Sequence, residues 1–432
     1  MPENGDPAIA LKAPKISREI FGGILDYDGM GFYPGVELLN FVFCTEGKVL
    51  LPSDDPIRLK RQSHDFARRL VWDEGFDAFS GKNDVLYNEE TEHAIRDLME
   101  CLQLEIPNLR KKPTWERAHF FPYTRSLIHW DARLRGSRIK FERRYLRGGG
   151  AFAFHVLRKD RDANRLNRCR EGFGKLFSSD AQSSLEKLTS VLADVGVVDD
   201  SPKKDDVEGT SSVHNDGQED LYRNGVVRIL EHKQSSVTRI KAIINWTTFW
   251  LINLQHCRAA KHLERPISKI ICDCGTGNKQ LRRASRRCLK DMQSLIVESV
   301  DKAVKEHSAT MSRQQISKIR SFFWASAASI KMLNAWTGRR HFTLGLNILE
   351  TLVLASADLK GELPFEKFVD DWLFEKYNIV AGRKAAEKYG LLSVFDASIF
   401  EDNENKLATH MAAAGLLTQY SDATRMVSVG GM

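Results

Sequence analysis

Apolar residues recur at three- and four-residue spacing along most of this chain, and that spacing predicts helices. Before residue 200 the pattern marks helices within Asp54–Trp72 (Leu59, Phe66, Leu70, Val71), Glu90–Leu104 (Ala94, Ile95, Leu98, Leu102), Arg161–Phe177 and Ser183–Val195. Ala151–Leu157, AFAFHVL, fits a buried strand or a helix, and Ile139 with Phe141 allows a strand within Ser137–Leu146. After residue 218 helices are predicted over Asp220–Leu230, Val237–Leu263 and Gln280–His307. Another opens at the capping box formed by Ser312 and Gln315 and runs to about Trp336. Ile270–Cys272 is a short apolar run suited to a strand. Trp246, Trp250, Trp324 and Trp336 stand among aliphatics at helical spacing and are expected in the core.

Asp199–Gln218 breaks this pattern. It holds almost no large apolar residue, so it cannot offset the entropy of ordering itself, and it reads as a linker or long surface loop. The expected organisation is an N-terminal mixed α/β region over 1–198, the linker over 199–218, a helical domain over 219–338 and a C-terminal module over 339–432. The expected fold class is mainly α: a multi-domain helical protein with minor β elements.

The C-terminal module carries helices within Leu344–Ala357, from Pro364 through Phe374, within Ala381–Tyr389 and over Asn403–Ala414, the last closed by Gly415. Leu416–Tyr420 and Ala423–Val429 then flank Ser421 and Asp422 as a hairpin. Helices followed by a two-stranded ribbon resemble the winged helix-turn-helix superfamily over roughly the last 90 residues. That resemblance implies DNA contacts from Asn405, Lys406, Thr409 and His410 on the last helix, and from Gln419 and Arg425 on the ribbon. The helix departs from the superfamily's groove-reading pattern at Met411, Ala412, Ala413 and Ala414, which offer no base-reading group. Docking of a protein partner is the other role such a module serves.

Charge changes the picture most. Arg110–Arg147 holds twelve Lys and Arg against three acidic residues, a local excess of nine in a chain whose net charge is +7. Trp115, Phe120, Phe121, Tyr123, Trp130, Phe141 and Tyr145 are interleaved, and Gly148, Gly149 and Gly150 follow. Guanidinium forks bind phosphate, and aromatic rings offer stacking faces. Candidate phosphate contacts are Arg133, Arg135, Arg138, Lys140, Arg143, Arg144 and Arg147, with the glycines permitting close backbone approach. A basic solvated face packed on a core through the same aromatics is the bland alternative.

A second basic stretch, IICDCGTGNKQLRRAS from Ile270 to Ser285, joins an apolar run to a helix through a glycine-containing turn. Asp273, Gly275, Gly277, Lys279, Arg282, Arg283 and Ser285 suit a phosphate cradle at a helix N-terminus, and Arg286, Arg287 and Lys290 extend it. It matches neither the P-loop nor the dinucleotide fingerprint.

Two metal readings are weaker. Cys272 and Cys274, with His256, Cys257, His262 and Cys288, lack the spacing of a known zinc finger or ribbon. Glu231 and Lys233 after the apolar run Val226–Leu230, with Asp220 upstream, match a metal-dependent nuclease core only if that run is a strand. His119, His129 and His155 have no partner acid at a defined spacing.

The polar N-terminus carries no signal-peptide pattern, and no apolar run is long enough to span a bilayer. Seven scattered cysteines fit reduced thiols, and a cytoplasmic location is expected. The reading is a non-catalytic nucleic-acid-binding subunit, with DNA favoured over RNA and no cofactor. Its expected setting is a larger prokaryotic complex of antiviral-defence, restriction-like or mobile-element type, with a protein partner and no membrane. A nuclease using Glu231 and Lys233, or a scaffold that binds only protein, are the alternatives.

Overall fold

In a computed structural model the chain is described over residues 10–27, 34–43, 48–59, 149–177, 212–335, 337–356, 363–421 and 424–428. Shorter pieces are described between 97 and 141 and at 203–204. The fold is mainly helical with small sheets. The chain divides into two compact units, residues 29–209 and residues 1–28 with 210–432. One division falls inside the polar segment expected to be a linker. The 219–338 and 339–432 stretches lie together in one unit with the first 28 residues.

In chain order the helices are α1 (Ala13–Phe21), α2 (Pro34–Phe43), α3 (Gly150–Arg158), α4 (Ala163–Gly174), α5 (Gly217–Glu231), α6 (Ser236–His262), α7 (Lys279–Glu306) and α8 (Arg313–Ser329). There follow α9 (Leu346–Ser356), α10 (Phe365–Lys367, continuing as a π-helix over Phe368–Lys376), α11 (Arg383–Lys388) and α12 (Ala397–Ala413).

In the 29–209 unit, α2 packs on α3 through a stacked Phe41–Phe154 pair, with centroids 5.4 Å apart. Gly150 is needed for that approach, because a Cβ there would lie 2.4 Å from the Pro34 carbonyl oxygen. The Glu37 carboxylate accepts from the N–H groups of Gly150 (2.8 Å) and Ala151 (3.3 Å), capping α3. The end of the glycine triplet therefore serves helix packing, which corrects its expected role in admitting a nucleic-acid backbone. Ala151–Leu157 is helical, and Gln103–Leu104 is a strand paired with His119–Phe120 where a helix was expected. Residues 60–72 and 183–195 lie outside the described residues.

In the other unit α6 is buried on every face from Trp246 to Ala260, more than its three- and four-residue apolar spacing predicts, polar Asn253, Gln255, His256 and Arg258 included. Around it pack α1, α5, α7, α8 and α9. Tyr222 stacks on Trp250 at 4.1 Å, and the indole N–H groups of Trp246 and Trp250 donate to the carbonyls of Tyr222 (3.1 Å) and Gln218 (2.9 Å). Trp246 and Trp250 are core residues as expected. Trp324 is only half-buried, and Trp336 lies outside the described residues.

At the start of α5 a buried ionic cluster ties three segments together. Arg258 donates to Asp216 (2.9 Å), to Glu219 (2.8 Å) and to the Phe21 carbonyl (2.6 Å). Arg223 lies 3.6 Å from Glu219. Burial works against ionisation of Asp216, but the Arg258 guanidinium outweighs it and holds the carboxyl below its ordinary range.

His256 supplies a pH test of this packing. It is buried, its Nε2 lies 3.1 Å from the Ser268 carbonyl, and burial pushes its pKa from 6.5 down to about 4. The unfolded chain then binds more protons between those values, so stability falls as pH drops from 6.5 to 4. The loss from this one group is about 3 kcal/mol. Urea midpoints at neutral and acid pH, compared between the wild type and His256→Gln, should show a weaker pH dependence in the variant. An identical dependence would remove His256 as its source.

Ile270–Ile271 forms the expected strand and pairs in parallel with Ile379–Val380. α8 stops at Ser329, short of Trp336, because the chain reverses at Lys331 (φ 59°) and the Met332 N–H returns to the Ala327 carbonyl (2.8 Å). α12 starts at Ala397, earlier than expected, because the Asp396 side chain accepts from the Ser398 N–H (2.8 Å) and caps it. Leu417–Ser421 and Thr424–Val427 form the expected hairpin, joined on its far edge by Leu363–Pro364.

Candidate nucleic-acid interface

The first three turns of α7 carry the clearest surface. Between Asp273 and Asp291 there is no acidic residue, while Lys279, Arg282, Arg283, Arg286, Arg287 and Lys290 are all basic. At 3.6 residues per turn these six fall within an arc of about 140°. Leu281, Ser285, Cys288, Leu289 and Met292 on the other side are buried, so packing turns the basic arc outward. Lys279, Arg283, Arg287 and Lys290 are exposed; Arg282 and Arg286 are half-buried. Cations here oppose the positive end of the helix dipole, a cost that a bound anion would reverse.

The loop before α7 is organised by Asp273, which is 1% exposed. Its Oδ1 accepts from the N–H groups of Gly275 (3.1 Å) and Thr276 (2.8 Å) and from the Thr276 hydroxyl (2.8 Å). Its Oδ2 accepts from Arg282 Nε at 2.7 Å. Burial opposes the Asp273 charge, but the bonds from Arg282 and Thr276 outweigh it and lower its pKa. Asn278 Oδ1 accepts from the N–H groups of Gln280 (2.9 Å) and Leu281 (3.1 Å). The N–H groups of Gly275, Thr276, Asn278, Gln280 and Leu281 are thus occupied by side chains of this protein. Arg282 is a strut of the loop, whereas Lys279, Arg283, Arg286 and Lys290 have no carboxylate partner among the described residues. Arg287 reaches Asp291 only at 3.8 Å, with both side chains exposed.

α12 seats on the same loop. Asn403, fully buried, accepts from the Cys274 N–H (2.8 Å) and donates to the carbonyls of Cys272 (3.0 Å) and Ala381 (2.7 Å). Gly275 has φ 101°, and a Cβ there would meet His410 Cε1 at 2.7 Å. His410 therefore packs against the loop. Asn405, Lys406 and Thr409 are exposed, with the Thr409 hydroxyl donating to the Asn405 carbonyl (2.8 Å). Around them the helix also carries Glu401, Asp402 and Glu404, so this face is net acidic. Gln419 is exposed on the ribbon, and Arg425 is held by Glu366 at 2.8 Å and lies over the Phe365 ring.

Arg339, Arg340 and Arg320 belong to the basic surface and were not anticipated. His341 links them to α7: it is buried, and burial and then the charges of Arg282 and Arg286 hold its pKa down against the pull of Asp273, 3.7 Å away. The neighbouring Phe342 N–H donates to the Ser285 hydroxyl on α7 (2.8 Å). The available signal was a gap in acidity. Residues 307–349 contain no Asp or Glu but six Lys and Arg.

In the 29–209 unit, Ala132–Arg135 pairs antiparallel with Arg138–Phe141. The register sets Arg133 opposite Lys140 and Arg135 opposite Arg138. The first strand was missed; its signal was the Gly136-Ser137 pair between two alternating runs. Arg143, Arg144 and Arg147 lie outside the described residues.

The strand needed to align Glu231 and Lys233 is absent, since Val226–Leu230 lie inside α5 and Glu231 ends it. The cysteines Cys272, Cys274 and Cys288 are buried, and burial pushes all three thiols up, Cys274 and Cys288 to about 12. Among the described residues no group of three or more His, Cys, Asp or Glu is placed to hold a metal ion, and no helix is long and apolar enough to cross a membrane. The chain matches no family model, no curated protein and no solved structure.

Proposed function

We propose that this chain binds nucleic acid without transforming it, using the basic arc of α7 as its principal phosphate-contacting surface. The observation that carries this reading is the run of six cations on α7 with no acid between Asp273 and Asp291, of which Lys279, Arg283, Arg286 and Lys290 have no carboxylate partner among the described residues. Arg133, Arg135, Arg138 and Lys140, carried by the two paired strands of the other unit, are a second candidate set of phosphate contacts.

Duplex DNA is the favoured ligand. The C-terminal order of helix, strand, helices and then two strands, with the first strand joined to the last, supports a winged-helix-like module. In this reading α12 does not lead into the groove, because its outward face is acidic and His410 and Asn403 are committed to the loop of Asp273. The exposed Tyr420 and the acidic α12 face fit a second role for this module, docking a protein partner in a larger complex. An antiviral, restriction-like or mobile-element system is the setting we propose for that complex.

Mobility shifts on duplex DNA, single-stranded DNA and RNA at equal salt test the reading. Retention of all probes is expected, with the duplex bound tightest. Failure to retain any of them at low salt would overturn the function.

A further inference from the structure

Arg340 is held in a way that surface arginines usually are not. Its guanidinium lies 4.6 Å from the centre of the Trp324 ring. Trp324 is braced in turn by the edge of Tyr27, at 5.9 Å and 82°. Tyr27 is itself buried, and its N–H donates to the Lys318 carbonyl on α8 (2.9 Å). A guanidinium held over an indole by cation–π attraction loses little further freedom when it binds an anion.

Arg320 stands one turn before Trp324 on α8 and is exposed, its Nη2 donating only to Ser317 at 3.4 Å. Arg320 and Trp324, four residues apart, are neighbours on one face of α8, so Arg320 stands beside the ring that Arg340 covers, and after burial its charge disfavours the Arg340 cation. Arg320, Arg339 and Arg340 meet no carboxylate among the described residues. A turn at Gly338 (φ 84°) precedes the arginine pair, and the His341 N–H donates to Asn334 Oδ1 (2.7 Å), fixing the chain after it. Two arginines held near each other with no acid between them form a site for a bidentate anion.

We infer that Arg340, held over the Trp324 ring, and Arg320 form a fork for one backbone phosphate of the bound nucleic acid. This rests on the nucleic-acid reading above and gives the basic belt a fixed geometric point beside the diffuse charge of α7. Trp324 acts as a positioning residue.

The test is titration of labelled duplex DNA into the full chain, repeated with Arg340→Lys, Arg340→Ala, Trp324→Phe and a distant control, Lys305→Ala. Arg340→Lys keeps the charge but loses the stacked fork. It should weaken binding about tenfold while leaving the salt slope near the wild-type value. Arg340→Ala should weaken binding at least as much and lower the slope by about 0.9. Trp324→Phe offers the guanidinium a weaker cation–π face and should weaken binding about threefold with the salt slope unchanged, and Lys305→Ala should be neutral. Thermal unfolding of each variant separates lost binding from lost folding. If the α7 arginines matter but Arg340→Lys and Arg340→Ala bind like the wild type, the fork is wrong and the wider reading stands. If the wild type binds no probe, both fall.

Discussion

Replacing Arg283, Arg286 and Arg287 together by glutamate should reduce duplex affinity at least a hundredfold without destabilising the protein. Three phosphate contacts would be lost and three repulsive charges gained, and the phosphate term dominates such binding. The three positions avoid Arg282, so its 2.7 Å bond to Asp273 and the loop it braces remain. Stability should hold or rise slightly. A carboxylate at 283 would face Lys279, one at 286 would face Arg282 and Lys290, and one at 287 would face Lys290, which together outnumber the new like-charge contacts of 283 with 286 and 287 and of 287 with Asp291. Each opposite-charge helical pair stabilises by about 0.3 kcal/mol. A gain in folding with a loss in binding identifies a surface kept basic for a ligand. Mobility shifts beside thermal unfolding would read both quantities, and a variant that unfolds early would void the separation.

The second large effect concerns the fold. Glu219→Ala should cost about 2–3 kcal/mol, since it takes one carboxylate from a buried cluster and leaves Arg258 only Asp216, and Arg223 only Asp220, as acidic partners among the described residues. Arg258 and Arg223 are 5% and 2% exposed, and Glu219 is the carboxylate they share. The Glu219 side chain also accepts from the N–H groups of His214 (2.9 Å) and Asn215 (2.6 Å), which would lose their partner. Glu219→Gln keeps the shape and an acceptor and should cost less. Chemical denaturation measures both; a loss below about 1 kcal/mol for the alanine variant would contradict the role assigned to this cluster.

Much of this helical frame was legible because its signals are local. Ser235 and Asn278, which cap α6 and α7, stand two residues before the stretches that the spacing marks, and the apolar side of α7 is set by Leu281, Ser285, Cys288 and Met292. The cations of α7 could be recognised for the same reason. Long-range partners could not. Nothing near Gly150 in sequence reveals that Glu37 will cap its helix, and nothing near Arg425 reveals Glu366. Asp273 looked like part of a phosphate cradle, yet it fills that cradle with its own carboxylate, because burial obliges it to find donors. Arg320, Arg339 and Arg340 escaped notice because they gather from a helix and a loop across the fold. Spacing within one helix cannot show that convergence.

The account depends on α7 meeting phosphates. The most direct measurement is the salt dependence of duplex binding by the wild type and by the Arg283, Arg286 and Arg287 glutamate variant. A steep fall in affinity with salt is expected for the wild type, with a slope shallower by about 2 to 3 in the variant, near 0.9 for each phosphate released. Equal slopes for the two proteins would contradict it.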